Sequence, residues 1–175
     1  MYNDWSVSAC AARANQKFGG RRASVPEHAS YTDPNFGVAT WDAKAGDWLF
    51  TVAFPSGRTA EGSVRPEDDS LHLSSPELEG SRACIRWVQA NEPALRQYVA
   101  DKMHGLYLNN WHDPECGPPL TQEEFRDKLA LVGVQVLEDH RAFLVFSDAE
   151  CFGGHAIVFS VGADGKLDEE PNLWG

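Results

Sequence analysis

From Phe36 onward, apolar positions fall in short runs: GVATW (37–41), DWLFTVAF (47–54) and RTAEGSV (58–64). DAKAG (42–46) and PSG (55–57) separate them with residues that favour turns at hairpin spacing, which predicts a three-stranded antiparallel meander. Trp41, Trp48 and Phe50 anchor its packed face. Beyond PEDDS (66–70) the period becomes helical. Ser75-Pro76 marks a start, followed by Leu78, Ala83, Ile85, Trp87 and Val88. Asn91-Glu92-Pro93 predicts a stop and the cap of a second helix carrying Leu95, Tyr98, Val99, Met103, Leu106 and Tyr107. The run HDPECGPP (112–119) predicts a loop that is not helix. Thr121 and Glu124 then have the spacing of a capping box, opening a helix through Phe125, Leu129 and Leu131. VGVQVLE (132–138), RAFLVFSD (141–148) and CFGGHAIVF (151–159) return to strand patterning, with a tight turn at Asp139-His140. A turn at GADG (162–165) and a tail to Leu173-Trp174 follow.

Strands, then helices, then strands, without strand-helix alternation, predict an α+β fold: an N-terminal antiparallel meander, central helices, and C-terminal antiparallel strands, in one sheet with the helices on one face. Residues 1–35, rich in Ala, Arg, Asn, Ser and Gly, read as an irregular N-terminal arm, and 36–175 as a single domain. The 175 residues, with 42% hydrophobic content and six Trp, suffice for a core without metal or disulfide. No stretch reaches the ~18 apolar residues of a membrane span.

The formal net charge is −11, and it is unevenly placed. Residues 1–35 hold Arg13, Lys17, Arg21 and Arg22 against three acidic residues, so the rest of the chain carries the whole deficit. Such a surface repels phosphate backbones and steers a cationic partner, which argues against nucleic-acid binding and for a basic protein partner. Cys10, Cys84, Cys116 and Cys151 lie far apart with no CxxC, and the first twenty residues lack signal-peptide form, so the expected setting is the reducing cytoplasm.

The reactive residue types gather in and before CFGGHAIVF. Asp148, Cys151 and His155 have the types of a nucleophilic hydrolase, yet in an extended strand four positions separate side chains by about 13 Å, so thiol and imidazole meet only if Gly153-Gly154 bends the chain. His112, Cys116, Cys151 and His155 together have the composition of a zinc site, without tight ligand spacing. His155 reads first as an imidazole at a glycine bend, bonded to Asp148 or to backbone. Neither a catalytic set nor a cofactor is assigned on these patterns.

LYLNNW (106–111), LTQEEF (120–125), SD (147–148) and FGGHAIVF (152–159), in that order, resemble a bacterial family known only as domain of unknown function 2262, over about residues 36–175. Asp148, Gly154 and His155 match its typical positions, whereas the position of Cys151 is ordinarily a plain hydrophobe there. The resemblance implies an association with toxin–immunity neighbourhoods. The functional expectation is a non-enzymatic acidic module that neutralises a bacterial toxin by occluding a basic surface. The alternative is a small zinc-binding or Cys/His hydrolase using Cys151, His155 and Asp148. Candidate partner-binding residues are the acidic Glu67, Asp68, Asp69, Asp113, Glu115, Asp148 and Glu150, with Trp111, His155 and Trp174 beside them.

Overall fold

A computed structural model describes residues 29–66, 73–148, 150–167 and 170–175, without the side chain of Cys116. Among these residues eight strands form one sheet in chain order: β1 (Ser30–Asp33), β2 (Gly37–Asp42), β3 (Asp47–Ala53), β4 (Thr59–Val64), β5 (Ala130–Val136), β6 (Ala142–Ser147), β7 (Ala156–Val161) and β8 (Asn172–Trp174). Two α-helices among the described residues, α1 (Ser75–Leu106) and α2 (Gln122–Lys128), lie between β4 and β5. The α+β class and the two groups of antiparallel strands are as expected.

Alternation explains the first meander. Trp48, Phe50 and Val52 of β3 face the core, and Trp41 of β2 stands opposite Trp48. In the β2–β3 turn the Asp42 carboxylate accepts from the amides of Lys44 and Ala45, and Gly46 takes a positive φ that a Cβ would oppose. Residues 30–33, expected in an irregular arm, instead form the edge strand β1. Asp33 locks its end: the carboxylate is 1% exposed and accepts from the Asn35 and Phe36 amides, the Tyr31 hydroxyl and the Arg82 guanidinium. The rest of the arm, residues 1–28, lies outside the described residues.

The expected break at Asn91-Glu92-Pro93 does not occur, and α1 runs through Pro93 without interruption. Pro93 is exposed, so its missing N–H and its ring fall on the side where a helix can open toward water. Around it, Asn91 Nδ2 donates to the Trp87 carbonyl at 2.8 Å and Arg96 grips the buried Glu92 carboxylate at 2.6 and 2.7 Å, bracing the turn. Ile85, Val88, Leu95, Val99 and Met103 keep one apolar face across the whole helix. That continuous burial outweighs a local stop signal.

Both helix starts follow their sequence signals. Ser74 caps α1 and Thr121 caps α2, each with a reciprocal Glu three residues on, Glu77 and Glu124. Leu131, expected in the last helix, belongs to β5, because α2 ends at Lys128. Its Phe125 and Leu129 neighbour are fully buried, so one short turn suffices to seal the core. The strands of the second meander supply Leu144, Phe146, Ile157 and Phe159 to the same core. One pairing departs from the antiparallel expectation: β4 and β5 are parallel, Gly62 opposite Val134 and Val64 opposite Val136. The intervening helices carry the chain back to the end where β4 began, which a hairpin cannot do. Among the described residues no helix is long and apolar enough to cross a membrane.

Candidate functional site

At the C-terminal end of α1 the helix widens into a π-helical turn, Tyr107–Trp111, closed by the His112 amide donating to the Tyr107 carbonyl at 2.9 Å. Such turns are frequent at functional sites because they re-aim side chains. Here Trp111 is directed across the loop that joins β6 to β7. It meets Phe152 edge-on at 5.7 Å and His155 at 5.4 Å between ring centroids. Gly153 permits the approach: its φ is +64°, and a Cβ there would come within 3.3 Å of the Trp111 ring.

The support beneath is aromatic. His104 stacks on Tyr107, Tyr107 on Phe125, and Phe125 meets Phe152 edge-on at 6.0 Å. Tyr107, Phe125 and Phe152 are buried, whereas Trp111 remains 39% exposed. A rigid column of rings thus leads from the core to one surface indole. The Tyr107 hydroxyl also accepts the Leu120 amide at 3.3 Å and lies 3.4 Å from His112 Nδ1, tying the 112–120 segment to the helix. Spacing in the sequence carries no sign of this column; its members are a histidine and ordinary aromatic positions of two helices and a loop.

Asp148 organises the loop. Its buried carboxylate accepts from the amides of Glu150 at 3.0 Å, Phe152 at 2.7 Å and Gly154 at 3.1 Å. Glu150 and Gly154 take positive φ, so the chain coils around the carboxylate as a turn and not as the extended strand assumed from the spacing. His155 bonds to backbone and not to Asp148: Nδ1 lies 2.6 Å from the Phe152 carbonyl. Because a carbonyl only accepts, Nδ1 carries the proton, and in the neutral ring Nε2 is an acceptor with no partner among the described residues.

Asp113 and Glu115 are exposed in the segment after Trp111, where Pro114–Cys116 forms one 3-10 turn in the stretch expected to be free of helix. Glu150 is exposed at the loop crest. Trp174 is half-buried on β8, opposite Ala156 and therefore next to His155. Glu67, Asp68 and Asp69 lie outside the described residues. Burial pushes the Cys151 thiol up, and nearby Lys128 only partly opposes this, so the thiol is not activated as a nucleophile. No group of three or more metal-ligating side chains forms among the described residues. The side chain of Cys116 is not among them.

At the opposite end of β6, a pocket of 260 Å³ is lined by Arg65, Leu137, Glu138, Asp139 and Arg141. Its arginines are engaged, Arg65 by Asp47 at 2.9 Å and Arg141 by Asp139 at 2.6 Å.

Residues 67–170 match the family model described as an uncharacterized protein conserved in bacteria, DUF2262. The chain belongs to the DUF2262 family. The DUF2262 match takes in α1, the π turn, α2, β5 to β7 and thus the Trp111–His155 site, while β1 to β4 precede it. No curated protein and no solved structure matches this DUF2262 chain.

Proposed function

We propose that this chain is a non-enzymatic protein-binding module that uses the Trp111 face to engage a basic protein, with neutralisation of a bacterial toxin as its task. The observation that carries the reading is the mounting of Trp111. A large aromatic ring kept partly in water at the end of a buried aromatic column has the properties of a binding hot spot: much contact area, little entropy left to lose. Leu108, 40% exposed one turn before it, extends the apolar area. The net charge of −11 supplies long-range attraction for a cationic partner. The Asp148 and His155 geometry weighs against the hydrolase alternative, since the carboxylate is spent on three amides and does not orient the imidazole.

The test is co-expression with the product of the neighbouring gene. The intact chain is expected to rescue growth from a toxic product, and Trp111→Ala to lose the rescue while the variant remains folded by circular dichroism. Titration calorimetry of the purified pair is expected to show affinity falling as salt rises from 50 to roughly 200 mM. Rescue by Trp111→Ala at wild-type level, or salt-independent binding, overturns the reading.

A further inference from the structure

Four features of the Trp111 face share one sign. The indole presents a π surface that attracts cations. With Nδ1 donating to the Phe152 carbonyl, the neutral His155 ring offers Nε2 as an acceptor, which has no partner among the described residues. The site lies on the π turn that continues the 32-residue α1, at the end where the helix dipole is negative. The exposed carboxylates of Asp113, Glu115 and Glu150 lie within two to four residues of Trp111 or Gly153, hence within about 8 to 15 Å along the backbone. Among the described residues, Lys128 lies near enough to Cys151 to act on its thiol.

We propose that Trp111 and His155 form a receptor for an arginine side chain of the partner. The planar guanidinium stacks on the indole, donates one N–H to His155 Nε2 and directs its remaining donors to the acidic rim. Arginine fits better than lysine, because only a planar cation can stack and donate in its own plane at once. This inference rests on the protein-binding reading and gives it a recognition chemistry.

The probe is L-arginine amide, titrated into the ¹⁵N-labelled protein, with lysine amide and the isosteric neutral citrulline amide as controls. The Trp111 Nε1–H resonance, assigned from Trp111→Phe, and the His155 ring nitrogens are the readouts. A single side chain is expected to bind saturably with Kd of roughly 1 to 10 mM. Lysine amide is expected to bind about threefold or more weakly, and citrulline amide not measurably. Trp111→Phe, which keeps the packing on Phe152, is expected to weaken arginine about threefold, Trp being the better cation acceptor. Equal shifts with citrulline, or no saturation with arginine, overturn the proposal. If arginine amide binds but no partner requires Trp111, the protein-binding reading fails and the receptor stands. If a partner requires Trp111 but none of its arginines, the receptor fails and the reading stands.

Discussion

Replacing Asp33 by Asn keeps the shape of the β1 clasp and removes its charge. The carboxylate receives the Tyr31 hydroxyl at 2.9 Å, the Asn35 amide at 2.7 Å, the Phe36 amide at 3.2 Å and Arg82 at 2.6 and 3.0 Å. An Asn has one acceptor oxygen, and its NH₂ would face other donors. Breaking a buried pair from one side costs about 3 to 5 kcal/mol, and the low end applies because Arg82 retains Glu79 and touches water. The expected loss of about 3 kcal/mol corresponds to roughly 6 to 12 °C in Tm for a chain of this size. The pH dependence has a definite sign. Burial pushes the Asp33 carboxyl up, but Arg82, the two amides and Tyr31 outweigh it and hold the group well below the usual carboxylate range. A depressed folded value contributes stability that is complete above the unfolded value of about 4 and is lost as pH falls further. Urea unfolding of both proteins from pH 7 to pH 2.5 reads the difference. A gap below about 1 kcal/mol at pH 7, or one that does not narrow below pH 4, would refute the reasoning.

Asp47 is the contrasting case. Burial raises its carboxyl more than Arg65 and Gln135 lower it, so a folded value above the unfolded one subtracts stability at neutral pH and returns it as pH falls through the folded value. Asp47→Asn is therefore expected to cost less than Asp33→Asn in the same urea assay at pH 7, and an equal or larger cost there contradicts the assignment. Pro93→Ala restores an amide donor inside α1 and is expected to stabilise by about 1 to 2 kcal/mol after the entropy of the freer unfolded chain is counted; thermal unfolding decides, and a lower Tm would mean the helix depends on Pro93. Gly153→Ala is expected to cost about 1 to 2 kcal/mol from its positive φ and to displace Trp111. An unmoved Trp111 Nε1–H resonance would show that the ring does not rest on Gly153.

What could be read from the chain was local. Thr121 announces its helix because a capping box is complete within four residues, and Ser75-Pro76 marks the start of α1, whose own box, Ser74 with Glu77, went unread. Pro93 misleads for the same reason: its stop signal is local, while the Glu92–Arg96 clamp and the continuous buried face depend on the packed helix. The parallel pairing of β4 and β5 was hidden because direction is set by a crossover and not by either strand's composition. At the site, Trp111, Asp148 and His155 were each visible as residues of interest. Their roles were not, since a Trp–His contact across 44 positions and a carboxylate wrapped by three amides exist only after the loop closes.

The parallel seam between β4 and β5 also sets where the chain meets its entropic barrier. Every other strand pair in the sheet closes a short connection, as at 42–46, 55–57 or 137–141. Joining Gly62 to Val134 requires closing the whole of residues 65–129. Loop-closure entropy grows with the logarithm of length, so that step costs about 2 kcal/mol more than a five-residue hairpin before any contact repays it. Each meander is assembled from neighbours in sequence, and α1, by shortening the crossover to the length of a rod, is what makes the seam reachable. The same helix that carries Trp111 to the surface thus governs how readily the two halves of the sheet find each other.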